Sequence, residues 1–262
     1  MRALKRFGQH FLEPAWADKL VSAIRPQPSD RFLEIGPGPG ALTLRLAPRV
    51  AHLTAVELDR EMVERLQPRL PDNVTLLQGD FLEFDLASLS GSFPIRVAGN
   101  LPYNVSSPIL FRLTEAHRRL GGITDATVMV QREVADRLLA VPGTKDYGVL
   151  SILLQLHADI RPVLGLPPGA FRPAPKVHSS VVRLDFRPPT VTLADEAAFV
   201  AMVRSMFTQR RKTLANALSA YAESRGRVTA EALAHAGIDP SRRAETLQLT
   251  ELSRLAEFFA SS

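Results

Sequence analysis

The chain has 262 residues, 45% of them apolar and 23% charged, enough for one large domain with a substantial core and a smaller one beside it. It contains no cysteine, which excludes disulfides, cysteine-based metal sites and thiol catalysis, and no metal site is expected. The net charge of +5 favours a polyanionic partner without establishing one, and 27 of the 32 basic residues are arginine. No apolar run approaches the ~20 residues of a membrane helix, and the basic start Met1–Gly8 lacks the apolar stretch of a secretory signal. The expected setting is therefore the cytoplasm, away from membranes, with nothing to suggest more than a monomer.

Trp16, Leu20 and Ile24 recur at helical spacing behind Pro14, a good first-turn residue, and predict an opening helix. Short apolar runs then alternate with amphipathic segments, the pattern of a parallel α/β sheet. The predicted strands are Arg31–Ile35, Leu53–Leu58, Val74–Gln78, Ile95–Ala98 and Ala126–Val130. The helical stretches between and after them are Ala41–Ala47, Arg60–Leu70, Ser107–Leu120 and Gln131–Leu139. Val149–Ile160 is mostly apolar and fits either a long strand or a buried helix, and the alternating Ser179–Phe186 reads as a final strand. This layout, a parallel sheet finished by antiparallel strands, fits a methyltransferase-type Rossmann domain.

Paired prolines in Arg187-Pro188-Pro189-Thr190 break both helix and ladder, and predict a catalytic domain over 1–188 followed by a small all-α domain over 189–262. In the latter, Phe199, Met202, Met206, Leu214, Leu218 and Tyr221 form one long amphipathic register, followed by helical patterns at Glu231–Ala236 and Glu251–Phe259. Residues 187–262 hold 10 basic and 8 acidic residues, so this part carries only +2.

Two loops carry the chemistry. Glu34-Ile35-Gly36-Pro37-Gly38-Pro39-Gly40-Ala41 follows the first long strand and opens a helix, and its glycines let the backbone pass close to a ligand at the carboxyl edge of the sheet. Glu57, about twenty residues on and ending the next strand, is placed to accept from ribose hydroxyls. Gly79-Asp80 closes the third, where a carboxylate and the backbone can bond an adenine amino group. Gly36, Gly38 and Ala41 formally satisfy a dinucleotide fingerprint, so a nicotinamide enzyme competes with an S-adenosylmethionine enzyme. Prolines 37 and 39 stiffen the loop where a pyrophosphate needs free N–H donors, which favours the second.

The other loop is Asn100-Leu101-Pro102-Tyr103, at the end of the fourth strand. Its residue types suit alkylation of a nitrogen that is barely nucleophilic, such as adenine N6, whose lone pair is delocalised into the ring. An Asn oxygen and carbonyls of a Pro-stiffened turn can accept both N6–H bonds and aim the lone pair outward, and Tyr103 offers a face for a flipped base. The same residues also make an ordinary Asn-x-Pro turn.

With these residues in hand, the chain resembles the small-subunit ribosomal RNA adenine N6-dimethyltransferases, the kasugamycin-resistance family. The likeness runs over nearly the whole length: Lys5–Leu12, Glu34–Gly40, Val56–Asp59, Gly79-Asp80, Gly99–Ser106, Gln131–Val134, Tyr147-Gly148, Phe171–Val177, Phe207–Leu214 and Gly237–Pro240. The resemblance implies S-adenosylmethionine as methyl donor and, as substrate, two adjacent adenines in a hairpin loop near the 3′ end of small-subunit ribosomal RNA. It places donor contacts on His10, Leu12, Gly36, Gly38, Glu57, Asp80 and Asn100. It places base contacts on Asn100, Leu101, Pro102, Tyr103 and Phe171, the aromatic pair Tyr103 and Phe171 enclosing the base. The family usually has Asn where this chain has His10, so a side-chain contact to the donor there is open while a backbone contact survives. Large-subunit adenine methyltransferases share the donor site; Leu101 and the Phe207–Leu214 motif point to the small-subunit enzymes. An assembly factor acting mainly by binding to the immature small subunit is a further reading.

Overall fold

The computed structural model describes residues 10–260, so that Lys5–Gln9 of the first family motif lie outside the described residues. Among them no helix is long and apolar enough to cross a membrane.

The chain divides into two compact units. The first is built on a seven-stranded sheet, with strands β2 (Arg31–Ile35), β3 (His52–Glu57), β4 (Val74–Gln78), β5 (Ile95–Asn100), β6 (Ile123–Gln131), β7 (Ala158–Leu166) and β9 (Ser179–Phe186) in the order β4-β3-β2-β5-β6-β9-β7. The β4-to-β6 half is parallel, and β9 runs antiparallel to both neighbours. That is the expected Rossmann-like methyltransferase arrangement. A separate two-stranded ribbon pairs β1 (Phe11–Leu12) with β8 (Phe171–Arg172).

The strands read as near-continuous apolar runs because helices cover both faces of a parallel sheet, and Leu33, Ala55, Val97, Ala98 and Val128 are each at most 1% exposed. Helix α1 (Pro14–Ile24) begins on Pro14 as expected, α2 is a single turn at Thr43–Leu46, and α3 (Arg60–Leu66) is capped by the Asp59 carboxylate, which accepts from the Glu61 N–H at 3.0 Å. Helix α4 (Ser106–Leu120) ends on Gly121 in the left-handed region, and α5 (Arg132–Leu139) follows β6. At the amino-terminal edge of the sheet Arg96 ties three elements together. Its guanidinium meets Asp30 at 2.6 Å and Asp125 at 2.7 Å and donates to the Ile24 carbonyl at 2.9 Å. Strand order reverses between β2 and β5, so a crevice opens above their carboxyl ends, where open α/β sheets bind ligands.

The second unit holds helices α7 (Glu196–Thr208), α8 (Leu214–Ala217), α9 (Ser219–Ser224), α10 (Thr229–Ala236) and α11 (Leu249–Ala260). Two expectations change here. The register from Phe199 to Tyr221 is not one helix: α7 stops at Thr208, residues 209–213 turn, and the chain resumes as α8 and α9. The Leu214 N–H then bonds the Arg242 carbonyl, at 2.7 Å, instead of continuing a helix. The second change is that the unit recruits Asp136–His157 in addition to the residues after Arg187, so the chain crosses between units more than once. Side chains explain the recruitment. The buried Tyr147 hydroxyl donates to the Leu247 carbonyl at 3.1 Å, the buried His157 meets Glu196 at 3.0 Å, and the Gly143 N–H reaches the Glu245 carbonyl. The ambiguous run after Gly148 resolves into both candidates, helix α6 (Val149–Gln155) in this unit and then β7.

Candidate active site

A cavity of about 210 Å³ opens at the carboxyl ends of β2, β3, β4 and β5, in the first unit. It is lined by His10, Leu12, Gly36, Gly38, Glu57, Asp80, Asn100, Leu101, Pro102 and Tyr103, so it brings together every expected site residue but one. Leu58, half exposed, and Met129, buried at the end of β6, also contribute to its walls.

The exception is Phe171. Its side chain is 1% exposed and belongs to the core that includes Leu12, Leu20, Phe32, Leu166 and Val181. The β1–β8 ribbon pairs Phe171 with Leu12, and this ring packs inward with that core rather than lining the cavity. Tyr103 therefore lines the cavity and Phe171 does not. Burial of an aromatic surface of this size stabilises the fold by about 2 kcal/mol or more, a sufficient reason for its presence.

The glycine loop is held by its own hydrogen bonds. The N–H of Gly36 donates to the Val56 carbonyl, that of Gly40 to the Pro37 carbonyl, both at 2.9 Å, and that of Gly38 to Glu57 Oε2 at 2.8 Å. Pro37 and Pro39 have no N–H to give. Residues 36–40 thus keep no donor for a pyrophosphate, which argues against a dinucleotide and for a donor without phosphate. Gly38 sits at φ +52°, a region that L side chains rarely adopt, and a Cβ there would meet the Phe11 ring at 3.4 Å.

Glu57 takes a second backbone bond, from the Asp59 N–H to Oε1 at 2.9 Å. Each oxygen keeps a further lone pair, so the fixed carboxylate can still accept from the two hydroxyls of a ribose. Burial pushes its pKa up, and those backbone bonds oppose the shift. Asp80 is half-buried and lines the cavity, with Oδ1 accepting from the Leu82 N–H at 2.8 Å.

Glu34, which sequence reasoning assigned no role, also lines the cavity. It is 2% exposed and its Oε2 has no hydrogen-bond partner among the described residues. Burial, reinforced by the charge of Glu57 and opposed by Thr43, pushes its pKa up to about 8, so at neutral pH it is mainly a neutral acid. The signal was present in the sequence as one carboxylate inside the apolar run 32–35.

The Asn100 turn is the most constrained part of the site. The Asn100 Nδ2 donates to the His10 backbone carbonyl at 2.8 Å. A carbonyl can only accept, so the amide orientation follows, and Oδ1 is left as the acceptor of a residue that lines the cavity. The Leu101 N–H donates to the Met129 carbonyl at 3.1 Å and its side chain is buried, which pins the turn to β6. Tyr103 is half-buried, shares a 2.6 Å hydrogen bond with Ser179 Oγ, and has its pKa raised by burial. Its ring stacks on His10 at 5.7 Å between centroids and 27° between planes, while His10 Nδ1 lies 2.8 Å from the Pro173 carbonyl. Ser179 lies 76 residues beyond Tyr103, and nothing in the sequence marks it as a support of that ring.

Comparison with known proteins agrees with this geometry. A family model described as ribosomal RNA adenine dimethylase matches residues 1–261. A "Ribosomal RNA small subunit methyltransferase A" of Syntrophotalea carbinolica is 46% identical over 258 residues, covering 98% of this chain and 96% of that one. Among solved structures, a dimethyladenosine transferase from Plasmodium falciparum superposes with a TM-score of 0.77 at 27% identity, over 94% of this chain and 96% of the other. A 23S rRNA methyltransferase, ErmE, gives 0.69 at 26% identity, over 94% and 98%. With a Rossmann-like methyltransferase sheet, a site at its carboxyl edge and a family match from end to end, the chain belongs to the ribosomal RNA adenine dimethylases.

Proposed function

We propose that this protein uses S-adenosylmethionine to dimethylate N6 of two adjacent adenosines in a hairpin loop near the 3′ end of small-subunit ribosomal RNA, acting on the immature small subunit as a monomer. The observation that carries the reading is the Asn100 amide in the cavity lining, locked by the His10 carbonyl so that its oxygen remains to accept. The small-subunit substrate is supported by the name of the Syntrophotalea carbinolica relative.

The residues fit the donor. Glu57 would hold the ribose, Asp80 the adenine amino group, and Gly36, Gly38, Leu12 and the His10 backbone the remainder. Bound there, S-adenosylmethionine supplies an electrophilic methyl group. Everything else is positioning. Asn100 Oδ1 and the Leu101 carbonyl accept the two N6–H bonds of the target adenine and turn its lone pair toward the donor side. Pro102 restricts the turn that carries them, and Tyr103 supplies a stacking face worth roughly 1–3 kcal/mol. No strong base is required, because the alkylated nitrogen is cationic and loses its proton to water readily. Placement of this kind accounts for most of the acceleration expected of such a site.

A loop substrate fits RNA chemistry, since unstacked bases can be read and splayed out. In the helical unit Arg211, Lys212 and Arg243 are exposed, and the 209–213 and 242–243 segments meet through the Leu214-to-Arg242 hydrogen bond, so these cations are candidates for phosphate contacts. Calorimetry tests the donor assignment directly. S-adenosylmethionine should bind and be weakened by Glu57→Ala, and a nicotinamide dinucleotide should not bind. Binding of the dinucleotide alone would overturn the proposal.

A further inference from the structure

The second aromatic expected at the base site, Phe171, is buried in the core, but the site is not left with one ring. His10 and Tyr103 are stacked and both line the cavity. Each ring is tethered by a hydrogen bond, His10 through Nδ1 to the Pro173 carbonyl at 2.8 Å and Tyr103 through its hydroxyl to Ser179 Oγ at 2.6 Å. Pro173 follows β8 directly and Ser179 opens β9, so one short stretch of chain anchors both. His10 is fixed from its other side as well, because the next residues form the β1–β8 ribbon and its carbonyl receives Asn100. The carbonyl of Pro173 can only accept, so Nδ1 is the donor in that bond.

We infer that the His10 imidazole is a positioning residue for the target base: it backs one face of Tyr103 and holds that ring so that its other face receives the adenine. This rests on the reading of Tyr103 as the stacking face. A ring held by its own hydrogen bond on a backbone that is itself fixed is a platform, not a gate, and the expected stack is adenine on Tyr103 on His10. The imidazole then acts on RNA affinity, while the backbone carbonyl of the same residue, through Asn100, acts on turnover. The two effects separate because only the first depends on the side chain.

The test compares wild type with His10→Ala, His10→Phe and Tyr103→Ala in steady-state methyl transfer to small subunits lacking adenine methylation, with donor affinity measured by calorimetry on the same proteins. His10→Ala should raise KM for the particle about tenfold, within the range of one base–aromatic stack, with kcat changed less than about threefold and donor Kd within about twofold. His10→Phe, which restores a flat ring, should recover most of the loss. An unchanged KM in His10→Ala overturns the inference, and a lowered KM overturns it by showing a blocking ring. A rise in donor Kd shared by His10→Ala and His10→Phe also overturns it, placing the imidazole in the donor site. Tyr103→Ala separates the two readings. If it leaves KM and kcat intact, the base-stacking reading itself fails; if it impairs transfer while His10→Ala does not, only the role of His10 fails.

Discussion

Glu34→Gln is predicted to stabilise the protein, and to do so more as pH rises. The wild-type carboxyl is buried with an unpartnered oxygen, and its pKa rises from 4.5 to about 8 on folding. Between these values the folded chain holds a proton that the unfolded chain has released, so folding loses free energy as pH rises through that window and the loss is complete above about pH 8. With those two pKa values the penalty is about 1 kcal/mol at pH 5.5 and about 4 kcal/mol at pH 8, a span of about 3 kcal/mol. Gln has the same shape and does not titrate, so it removes that term. Urea unfolding of both proteins at pH 5.5 and pH 8, followed by tryptophan fluorescence of Trp16 in the sheet unit, reads the difference. The gap between mutant and wild type should move in favour of Gln by about 3 kcal/mol between the two conditions. A gap that stays constant with pH refutes the buried, neutral state of Glu34.

Gly99→Ala would place a Cβ 2.6 Å from the Ile35 carbonyl oxygen, a backbone atom that cannot step aside without moving β2 against β5. A loss of roughly 1–3 kcal/mol in denaturant unfolding is expected, and unchanged stability would contradict that strand spacing. Phe171→Leu should cost less than about 1.5 kcal/mol and leave KM for the RNA particle within about twofold, because the ring is a core filler. A tenfold rise in KM with the fold intact would instead put the ring against the base. Arg96→Met leaves Asp30 and Asp125 without their common partner and should cost roughly 3–5 kcal/mol in the same unfolding assay, whereas a change under 1 kcal/mol would show the cluster to be solvated. Particle binding should weaken steeply between 50 and 200 mM salt, as counterion release from phosphates requires, and a flat response would remove the basic side chains from the interface.

Much of this was legible in the sequence because the informative signals are local. Apolar runs of strand length ended within two residues of the strand ends, and Gly36–Gly40, Glu57, Asp80 and Asn100 fell on successive strand ends, so the sheet topology alone gathers them into one cavity. What was hidden depends on contacts far apart in the chain. The apolar periodicity through Phe199–Tyr221 is continuous, yet the pairing of Leu214 with Arg242 turns the chain. Tyr147 reads as an isolated aromatic until Leu247 is brought beside it, a hundred residues on, which is why the recruitment of 136–157 was not foreseen. Phe171, beside Pro173 and Pro175, fits core packing as well as a base contact from the sequence alone, and only the fold shows it buried with Leu12, Leu20 and Phe32. Nothing local marks Ser179 and Pro173 as the anchors of Tyr103 and His10.

The most direct test of the account is the transfer of labelled methyl from S-adenosylmethionine to small and large ribosomal subunits that lack adenine methylation, with nuclease digestion to locate the labelled nucleoside. The account predicts N6,N6-dimethyladenosine near the 3′ end of small-subunit RNA, and a loss of turnover of about a hundredfold or more in Asn100→Ala with donor binding largely kept. Label in large-subunit RNA, or undiminished transfer by Asn100→Ala, would contradict it.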